Sequence, residues 1–185
     1  MPDTTFRASA LPDGVALRLL HPDDGPALAA AYNRNRAHLE PWEPVRPPEF
    51  YDADRQAGLV ATELRSHEDG RSVPLVLVRD AEVVGRVNLS DIVLGAFRNV
   101  HLGYWVDSRL AGRGVMTAAV EAACAHARDD LGLHRVQAAT LLHNAASQKV
   151  LARTGFDRIG TAPSYLRIAG RWQDHVLFQR ILHDD

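Results

Sequence analysis

A glycine-rich segment between a predicted strand and a predicted helix carries the clearest chemical signal in the sequence. Residues 109–114 read RLAGRG, and this R-x-x-G-x-G pattern leads directly into an alanine-rich run that begins at Val115. Amide N–H groups at the start of a helix attract anions, and glycines let a ligand approach the backbone closely. The segment therefore predicts a pyrophosphate site, to which Arg109 and Arg113 add positive charge.

The spacing of these glycines differs from that of two common nucleotide-binding patterns. It is neither G-x-G-x-x-G nor G-x-x-x-x-G-K-S/T, and no acidic residue early in the following helix marks a ribose site. Rossmann and P-loop sites are thereby excluded. Taken alone, the segment fits an ordinary strand–turn–helix connection as well as a phosphate site.

A second pattern lies downstream and makes the first one specific. Residues 144–156 read N-x-x-S-x-x-V-x-x-x-x-G-F. Together with the glycine-rich segment, which matches motif A, (Q/R)-x-x-G-x-(G/A), this run resembles the GNAT acetyltransferases. The segments Gly103-Tyr104-Trp105-Val106 and Leu39-Glu40-Pro41-Trp42 are similar to the RimJ/RimL branch, which acetylates the N-terminal amine of ribosomal proteins. The resemblance extends over residues 14–182.

This resemblance implies a fold and a cofactor site. The expected fold is α+β, with a mixed central sheet of about seven strands and four flanking helices. The sheet splays around acetyl-CoA between the strand Asn99–Val106 and the strand His134–Leu142. Asn144 is implied to bind the cofactor arm, to cap the following helix, or to do both. The implied cofactor residues are Val106, Arg109, Leu110, Ala111, Gly112, Arg113, Gly114, Val115, Met116 and Asn144.

Two side chains are candidates for the acid and the base of an acyl transfer. Ser147 matches the family position near the cofactor sulfur and is the candidate general acid; the alternative is an ordinary helix serine. His101 is the candidate base, because an imidazole titrates near neutral pH; the alternative is a structural histidine. Another ribosomal branch has a Glu and a Tyr where this chain has Ala139 and Leu151, so those two roles are not carried over. A backbone N–H near Val106 is expected to bind the oxyanion.

A proline-rich loop, residues 40–47, is expected at the acceptor side. Trp42 is predicted to form a wall of the acceptor site or, alternatively, to fill the corner between two helices. Glu40 and Glu43 are predicted to attract a cationic amine. An α-amine, with a pKa of about 7.7 to 8.0, loses its proton far more readily than lysine at about 10.4, so even a weak base suffices for an N-terminal acceptor.

The elements that must position these residues follow from the periodicity. One domain is predicted over residues 1–185, with a core from 14 to 182. A helix is predicted from the Pro22–Pro26 segment to about Leu39, and Asp52 caps a second that ends near Gly70. The remaining helices are predicted at 115–130 and 144–154. The predicted strands are 15–20, 73–79, 83–94, 99–106, 134–142, 156–161 and 174–182, with a turn at Gly170-Arg171.

Composition excludes several other classes of protein. A net charge of −2 lacks the basic field of a nucleic-acid binder, and Lys149 is the only lysine. A single cysteine, Cys124, excludes an internal disulfide and is predicted to be a small buried residue. Four aromatic side chains are predicted to pack in the core rather than to bind a ligand, since strands favour aromatic packing: Phe97, Tyr104, Trp105 and Phe156. Nine scattered histidines predict no metal site, and the absence of a long apolar run predicts a cytoplasmic protein without membrane contact. A monomer and a homodimer both fit.

The resulting hypothesis is an acetyl-CoA-dependent N-acetyltransferase. Its acceptor is predicted to be the N-terminal amine of a protein or peptide, for example a ribosomal protein. Two alternatives stay open at this point. One is acetylation of a small amine such as an antibiotic or a polyamine, and the other is a module that senses acyl-CoA without turnover.

Overall fold

A mixed eight-stranded β-sheet forms the centre of the protein, with helices on both faces. The computed structural model describes residues 6–183. The spatial order is β1-β2-β3-β4-β5-β6-β8-β7, and only β5 and β6 run parallel to each other. The strands are β1 (Ser9–Ala10), β2 (Ala16–Leu19), β3 (Val73–Arg79), β4 (Glu82–Val93), β5 (Asn99–Val106), β6 (Arg135–Leu141), β7 (Asp157–Ile168) and β8 (Arg171–Ile181).

The five α-helices lie between these strands in the chain. They are α1 (Gly25–Arg34), α2 (Arg36–Leu39), α3 (Ala53–Glu68), α4 (Val115–Asp129) and α5 (Ala145–Arg153). Successive residues of a strand point to opposite faces, so each face of the sheet packs in a separate hydrophobic core. Leu102 packs in the core that contains α4 and α5, whereas Val76 packs in the core that contains α1 and α3. We call these two sides the α4/α5 face and the α1/α3 face. No helix within residues 6–183 combines the length and hydropathy needed to cross a membrane.

The α+β class and the splayed mixed sheet are confirmed, whereas the numbers of elements differ from those predicted. The additional strand, Ser9–Ala10, is too short to produce a recognisable alternation. The additional helix arises because the first predicted helix is interrupted at Asn35, whose backbone angles are φ −102° and ψ 11°. The prediction of one continuous helix to Leu39 is therefore wrong, and the reason lies in long-range contacts of Asn35 described below.

The last two strands are much longer than predicted. They run from Asp157 to Ile168 and from Arg171 to Ile181, and the turn between them is Ala169-Gly170. The central part of β7 is exposed and contains Pro163 and a bulge, so it shows no alternation of apolar and polar residues. Within this hairpin, β7 is one of the two edge strands of the sheet.

Aromatic and cysteine predictions had mixed outcomes. Phe156 and Cys124 are buried as expected, and burial raises the pKa of the Cys124 thiol to about 11, so this thiol is unreactive at neutral pH. Phe97 was predicted to be in the core and is instead 44% exposed, with the Arg135 guanidinium 5.6 Å from its ring centroid. Tyr104 and Trp105 are only partly buried, and both lie at the candidate site.

Candidate active site

A cleft opens in the sheet between β5 and β6. These parallel strands pair only from Asn99 to His101 of β5, opposite residues 135–137 of β6. Beyond that point β5 stays paired with β4 as far as Val106, and β6 stays paired with β8 as far as Leu141. The inner edges of the two strands therefore separate over residues 102–106 and 138–141, as the sequence predicted. Unpaired strand edges of this kind offer hydrogen-bonding groups to an extended ligand.

The backbone direction of β5 turns specific amides toward this cleft. Asp107 donates its N–H to the Val84 carbonyl on β4 at 2.8 Å. Because N–H groups alternate in direction along a strand, the N–H groups of Val106 and Tyr104 point the other way, into the cleft. The predicted cofactor contact at Val106 is thus available as a backbone group.

The glycine-rich loop, residues 109–114, ends at the start of α4. Gly112 and Gly114 have φ values of 77° and 81°, and no atom lies within 4 Å of the position that a Cβ would take on either residue. Gly114 is the N-cap of α4 but supplies no side-chain cap, and the first turn of the helix contains no acidic residue. The first amides of the helix therefore need an external acceptor, and an anion such as pyrophosphate fits there.

Other predicted cofactor residues differ in which part of each is accessible. Leu110, Val115 and Met116 are 1%, 0% and 6% exposed as whole residues, so their side chains lie in the core and are not available to a ligand. Arg113 is exposed and lies 3.5 Å from Asp13. Arg109 donates to the carboxylates of Asp107 and Glu82, so much of its charge is neutralised within the protein.

A buried carboxylate that the sequence analysis missed fixes the entrance to this loop. Asp107 is fully buried and accepts hydrogen bonds from Arg34 Nε at 2.8 Å, Asn35 Nδ2 at 3.0 Å and the Arg109 backbone N–H at 2.9 Å. Burial raises the pKa of Asp107, but the hydrogen bonds from Arg109, Asn35 and Arg34 outweigh burial and hold the pKa well below its usual range. Asp107 therefore stays ionised at all working pH values.

Asn35 connects this carboxylate to the break between α1 and α2. Its side chain is buried, donates to Ala31 O and to Asp107, and accepts the Ser108 N–H at 3.0 Å. The contacts with Asp107 and Ser108 join residues more than 70 positions apart, which explains why helical periodicity did not predict the break. The glycine-rich loop and the segment before the proline-rich loop are thereby held together.

The first turn of α5 places two predicted residues beside the cleft. The Asn144 side chain accepts the Ser147 N–H at 3.1 Å, so its predicted role as a helix N-cap is confirmed. Ser147 Oγ lies 2.8 Å from the Tyr104 hydroxyl, which reaches it from β5. Ser147, the candidate acid, therefore lies beside Tyr104, which precedes Val106 by two residues in β5. Tyr104 was interpreted from sequence as a core residue, and only the pairing of distant elements identifies its contact.

The proline-rich loop lies over the end of the cleft on the α1/α3 face. The Trp42 ring is stacked at 5.4 Å from the ring of His143, in the connection between β6 and α5. Ala169 N–H, from the β7–β8 turn, donates to the Glu43 carbonyl at 3.0 Å. Tyr32, which lines the same cavity as Glu43, accepts a hydrogen bond from Trp105 Nε1 of β5. The loop thus contacts the connection between β6 and α5 and the final hairpin.

Glu43 and Glu40 line one cavity of about 220 Å³ but differ in exposure. The Glu43 side chain is 20% exposed and lies 3.5 Å from Arg46, whereas Glu40 is exposed. Burial raises the pKa of Glu43, and the charges of Arg46 and Arg86 only partly oppose this effect. Arg36 and Arg46 also line this cavity, so two carboxylates and two guanidinium groups belong to its wall.

His101 lies at the last position where β5 pairs with β6. It shares the α1/α3 face with Trp105, opposite to the face on which Tyr104 meets Ser147. Three residues of strand, about 10 Å, separate it from Tyr104. Direct proton transfer requires hydrogen-bond reach, so the predicted base would have to act through water.

Comparison with known proteins agrees with the geometry of the cleft and the glycine-rich loop. Residues 15–157 match the family model described as an acetyltransferase (GNAT) domain. This chain belongs to the GNAT acetyltransferase family. The predicted resemblance, the acyltransferase activity and the use of acetyl-CoA as acetyl donor are confirmed by this membership.

Individual relatives cover nearly the whole chain. It is 36% identical over 167 residues to the ribosomal protein uS5-alanine N-acetyltransferase of Escherichia coli (strain K12), covering 89% of this chain and 86% of that protein. A ribosomal-protein-S5-alanine acetyltransferase from Vibrio fischeri superposes with a TM-score of 0.92 at 32% identity, over 96% of this chain and 98% of the other. Mycobacterium smegmatis RimJ in complex with CoA-disulfide superposes with a TM-score of 0.90 at 32% identity, covering 97% of this chain and 88% of the other. The similarity to the RimJ/RimL branch is thereby confirmed.

Proposed function

We propose that this enzyme acetylates the N-terminal α-amine of a protein, and that its acceptor is a ribosomal protein that begins with alanine. The observation that carries the reaction is the cleft between β5 and β6, with the glycine-rich loop directly after β5 and the proline-rich loop against the connection that follows β6. The acceptor class is supported by the uS5-alanine acetyltransferases, which are at least 32% identical over most of the chain. A ribosomal acceptor implies a cytoplasmic enzyme, which acts as a monomer or a homodimer.

The cofactor residues divide into three groups along the cleft. The cleft-facing backbone of Val106 pairs with the extended arm of acetyl-CoA, which supplies the acetyl group as a thioester. The N–H groups of Leu110, Ala111 and Arg113 donate to backbone carbonyls within residues 107–110, so the remaining amides of residues 112–116 bind the pyrophosphate. The Arg113 side chain adds charge at the exposed side, and Arg109 holds the loop through Asp107 and Glu82. Asn144 orients the start of α5 and binds the arm.

The chemistry needs an oxyanion donor, an acid and a proton acceptor. The N–H groups of Tyr104 and Val106 face the cleft and serve the oxyanion without any special side chain. Ser147 donates its hydroxyl proton to the departing sulfur. His101 receives the proton of the amine through water, from the α1/α3 face.

The ionisation of the acceptor favours an N-terminal amine. With pKa values of about 7.9 and 10.4, the neutral fraction near pH 7.5 is about 200-fold larger for an α-amine than for a lysine side chain. A site that has only a water-relayed base therefore acts best on an amine that is already partly neutral.

The acceptor pocket is formed by the proline-rich loop. Trp42, fixed against His143, forms a wall, and Glu43 attracts the ammonium form of the incoming N-terminus. Glu40 adds negative charge at the exposed rim of the same cavity. The β7–β8 turn closes the opposite side through its contact with Glu43.

The proposal is tested by CoA release with matched acceptors. Four are compared: a peptide that begins with alanine, the same peptide with an acetylated N-terminus and an internal lysine, a version that begins with serine, and a set of small amines that includes aminoglycosides and polyamines. We expect turnover only with free N-termini, and fastest with alanine, with the product located at the α-amine by mass spectrometry. Turnover with small amines alone would replace the proposal by metabolite or drug acetylation, and tight acetyl-CoA binding without any turnover would indicate a sensor.

Glu43→Gln is expected to weaken acceptor binding selectively. The KM for an N-terminal peptide should rise about 10-fold, which corresponds to losing one charge-assisted hydrogen bond of about 1.4 kcal/mol, while the KM for acetyl-CoA stays constant. Since burial raises the pKa of Glu43, kcat/KM for the acceptor should fall on acidification above the usual carboxyl range, as the carboxylate gains a proton. In Glu43→Gln, kcat/KM for the acceptor should not show the fall on acidification that is due to Glu43.

Two other carboxylates provide controls for the Glu43 experiment. Glu40→Gln removes an exposed charge at the same cavity, which water and salt screen, so its KM should change less than about threefold. Glu49→Gln removes an exposed carboxylate outside that cavity and should have no effect. An unchanged peptide KM in a folded Glu43→Gln protein would contradict the proposed role.

A further inference from the structure

A pair of hydroxyl groups connects β5 to α5 beside the cleft. Tyr104 Oη lies 2.8 Å from Ser147 Oγ and 3.1 Å from the Ser147 carbonyl oxygen. A serine in a helix often bonds back to the carbonyl one turn earlier, but within residues 6–183 the hydrogen bond of the Ser147 hydroxyl is to Tyr104. The Asn144 cap on the Ser147 N–H fixes the backbone from which this hydroxyl projects. Asn144 therefore fixes the backbone of Ser147, and Tyr104 contacts its hydroxyl group.

The direction of the hydrogen bond follows from the chemistry of the two groups. A phenol is a stronger acid than an aliphatic hydroxyl, so the favoured arrangement has Tyr104 as donor and Ser147 Oγ as acceptor. The 2.8 Å separation is typical of an O–H···O bond and shorter than the distance to the carbonyl. Burial raises the pKa of Tyr104 to about 12, so the phenol keeps its proton throughout the working range. In this arrangement the Ser147 proton is free to point elsewhere.

We propose that Tyr104 is a positioning residue that turns the Ser147 hydroxyl proton toward the departing sulfur. The inference rests on the proposed function, because it needs Ser147 as the acid. As the C–N bond forms and the C–S bond breaks, sulfur takes the Ser147 proton, while Tyr104 keeps its own proton and donates a hydrogen bond to Ser147 Oγ. Ser147 Oγ regains a proton from the amine by way of water and His101, so one proton passes in total from nitrogen to sulfur.

The pairing predicts a non-additive effect on turnover. Ser147→Ala should lower kcat about 100-fold, in the range of general acid catalysis, and Tyr104→Phe about 10-fold. The double variant should match Ser147→Ala, because Tyr104 acts only through Ser147. The KM for acetyl-CoA should stay the same in all three. Tyr165→Phe and Ser66→Ala, on β7 and α3, remove hydroxyls away from this pair and should leave kcat unchanged.

A binding measurement tests the pair without turnover. Calorimetric titration with CoA and with desulfo-CoA, which has no thiol, is repeated from neutral to alkaline pH. In the wild type CoA should bind more tightly as its thiol ionises, because the positioned hydroxyl donates to the thiolate, whereas desulfo-CoA should show no such change. Tyr104→Phe should reduce this pH dependence several-fold and leave the affinity for desulfo-CoA unchanged. The melting temperature verifies that each variant is folded.

The possible outcomes separate this inference from the proposed function. Multiplicative losses, about 1000-fold in the double variant, with an unchanged CoA profile in Tyr104→Phe, would assign Tyr104 a packing role and overturn the inference. A low kcat in Ser147→Ala together with a wild-type kcat in Tyr104→Phe would also overturn the inference about Tyr104. In that case Ser147 would remain the acid. Wild-type kcat in Ser147→Ala would overturn both roles, although the acceptor experiment would still decide the substrate class.

Discussion

Gly114→Val abolishes acetyl-CoA binding while the protein stays folded. Gly114 has a φ of 81°, and the space that its Cβ would enter is open, at the point where the amides of α4 face outward. A branched side chain would occupy the space of the pyrophosphate, and its backbone strain would move the first turn of the helix. We expect the Kd for acetyl-CoA to rise at least 100-fold, measured by calorimetry.

Gly95→Val is the matched control for this experiment. Gly95 also has a positive φ, of 71°, with open space around it, but lies in the connection between β4 and β5. Both substitutions carry a backbone strain of about 1 to 3 kcal/mol, so their melting temperatures should fall by similar amounts. Only the Gly114 variant should lose acetyl-CoA. Normal affinity in a folded Gly114→Val protein would rule out the glycine-rich loop as the pyrophosphate site.

Asp107→Asn lowers stability by about 3 kcal/mol, because removing one member of a buried ionic network leaves the others uncompensated. Asp107 is fully buried and receives hydrogen bonds from Arg34, Asn35 and Arg109, which an amide cannot all accept. For a chain of this length the melting temperature should fall by about 6 to 12 °C. The KM for acetyl-CoA should rise as well, since the glycine-rich loop loses its anchor.

The stability of the wild type should also depend on pH through Asp107. Its pKa is lower in the folded protein than in the unfolded chain, so its contribution is complete above the unfolded value of about 3.9. The contribution is lost as the pH falls toward the folded value. The difference in melting temperature between wild type and Asp107→Asn should therefore be constant near neutrality and shrink on acidification.

Asp69→Asn provides the surface comparison for Asp107. Asp69 pairs with Arg71, and both side chains are more than half exposed. An exposed pair of this kind contributes about 0 to 1 kcal/mol, so the melting temperature should barely change. Equal destabilisation by the two substitutions would contradict the central role of the Asp107 network.

Local patterns predicted most of the elements that build the site. The bounds of β3 and β5 match the prediction, and α3, α4 and α5 differ by a residue or two at their ends. The apolar residues of these strands and helices recur with the period of the element and face a core. Their spacing in the sequence therefore predicts which residues are buried. The glycine-rich loop was recognised from its composition, because Gly112 and Gly114 both have a positive φ, which favours glycine. The length of the exposed β7–β8 hairpin was underestimated, because neither of its faces is fully buried.

The sequence by itself determined the fold class, the acyltransferase family and the cofactor loop, since these depend on contiguous residues and short-range geometry. The tertiary structure alone decided which distant side chains meet. Tyr104 and Ser147 come within hydrogen-bond distance because β5 and β6 diverge, and Asn35 breaks a helix because its side chain bonds to Asp107. Such contacts depend on strand register and helix packing over separations of 40 to 70 residues, and no local periodicity encodes them.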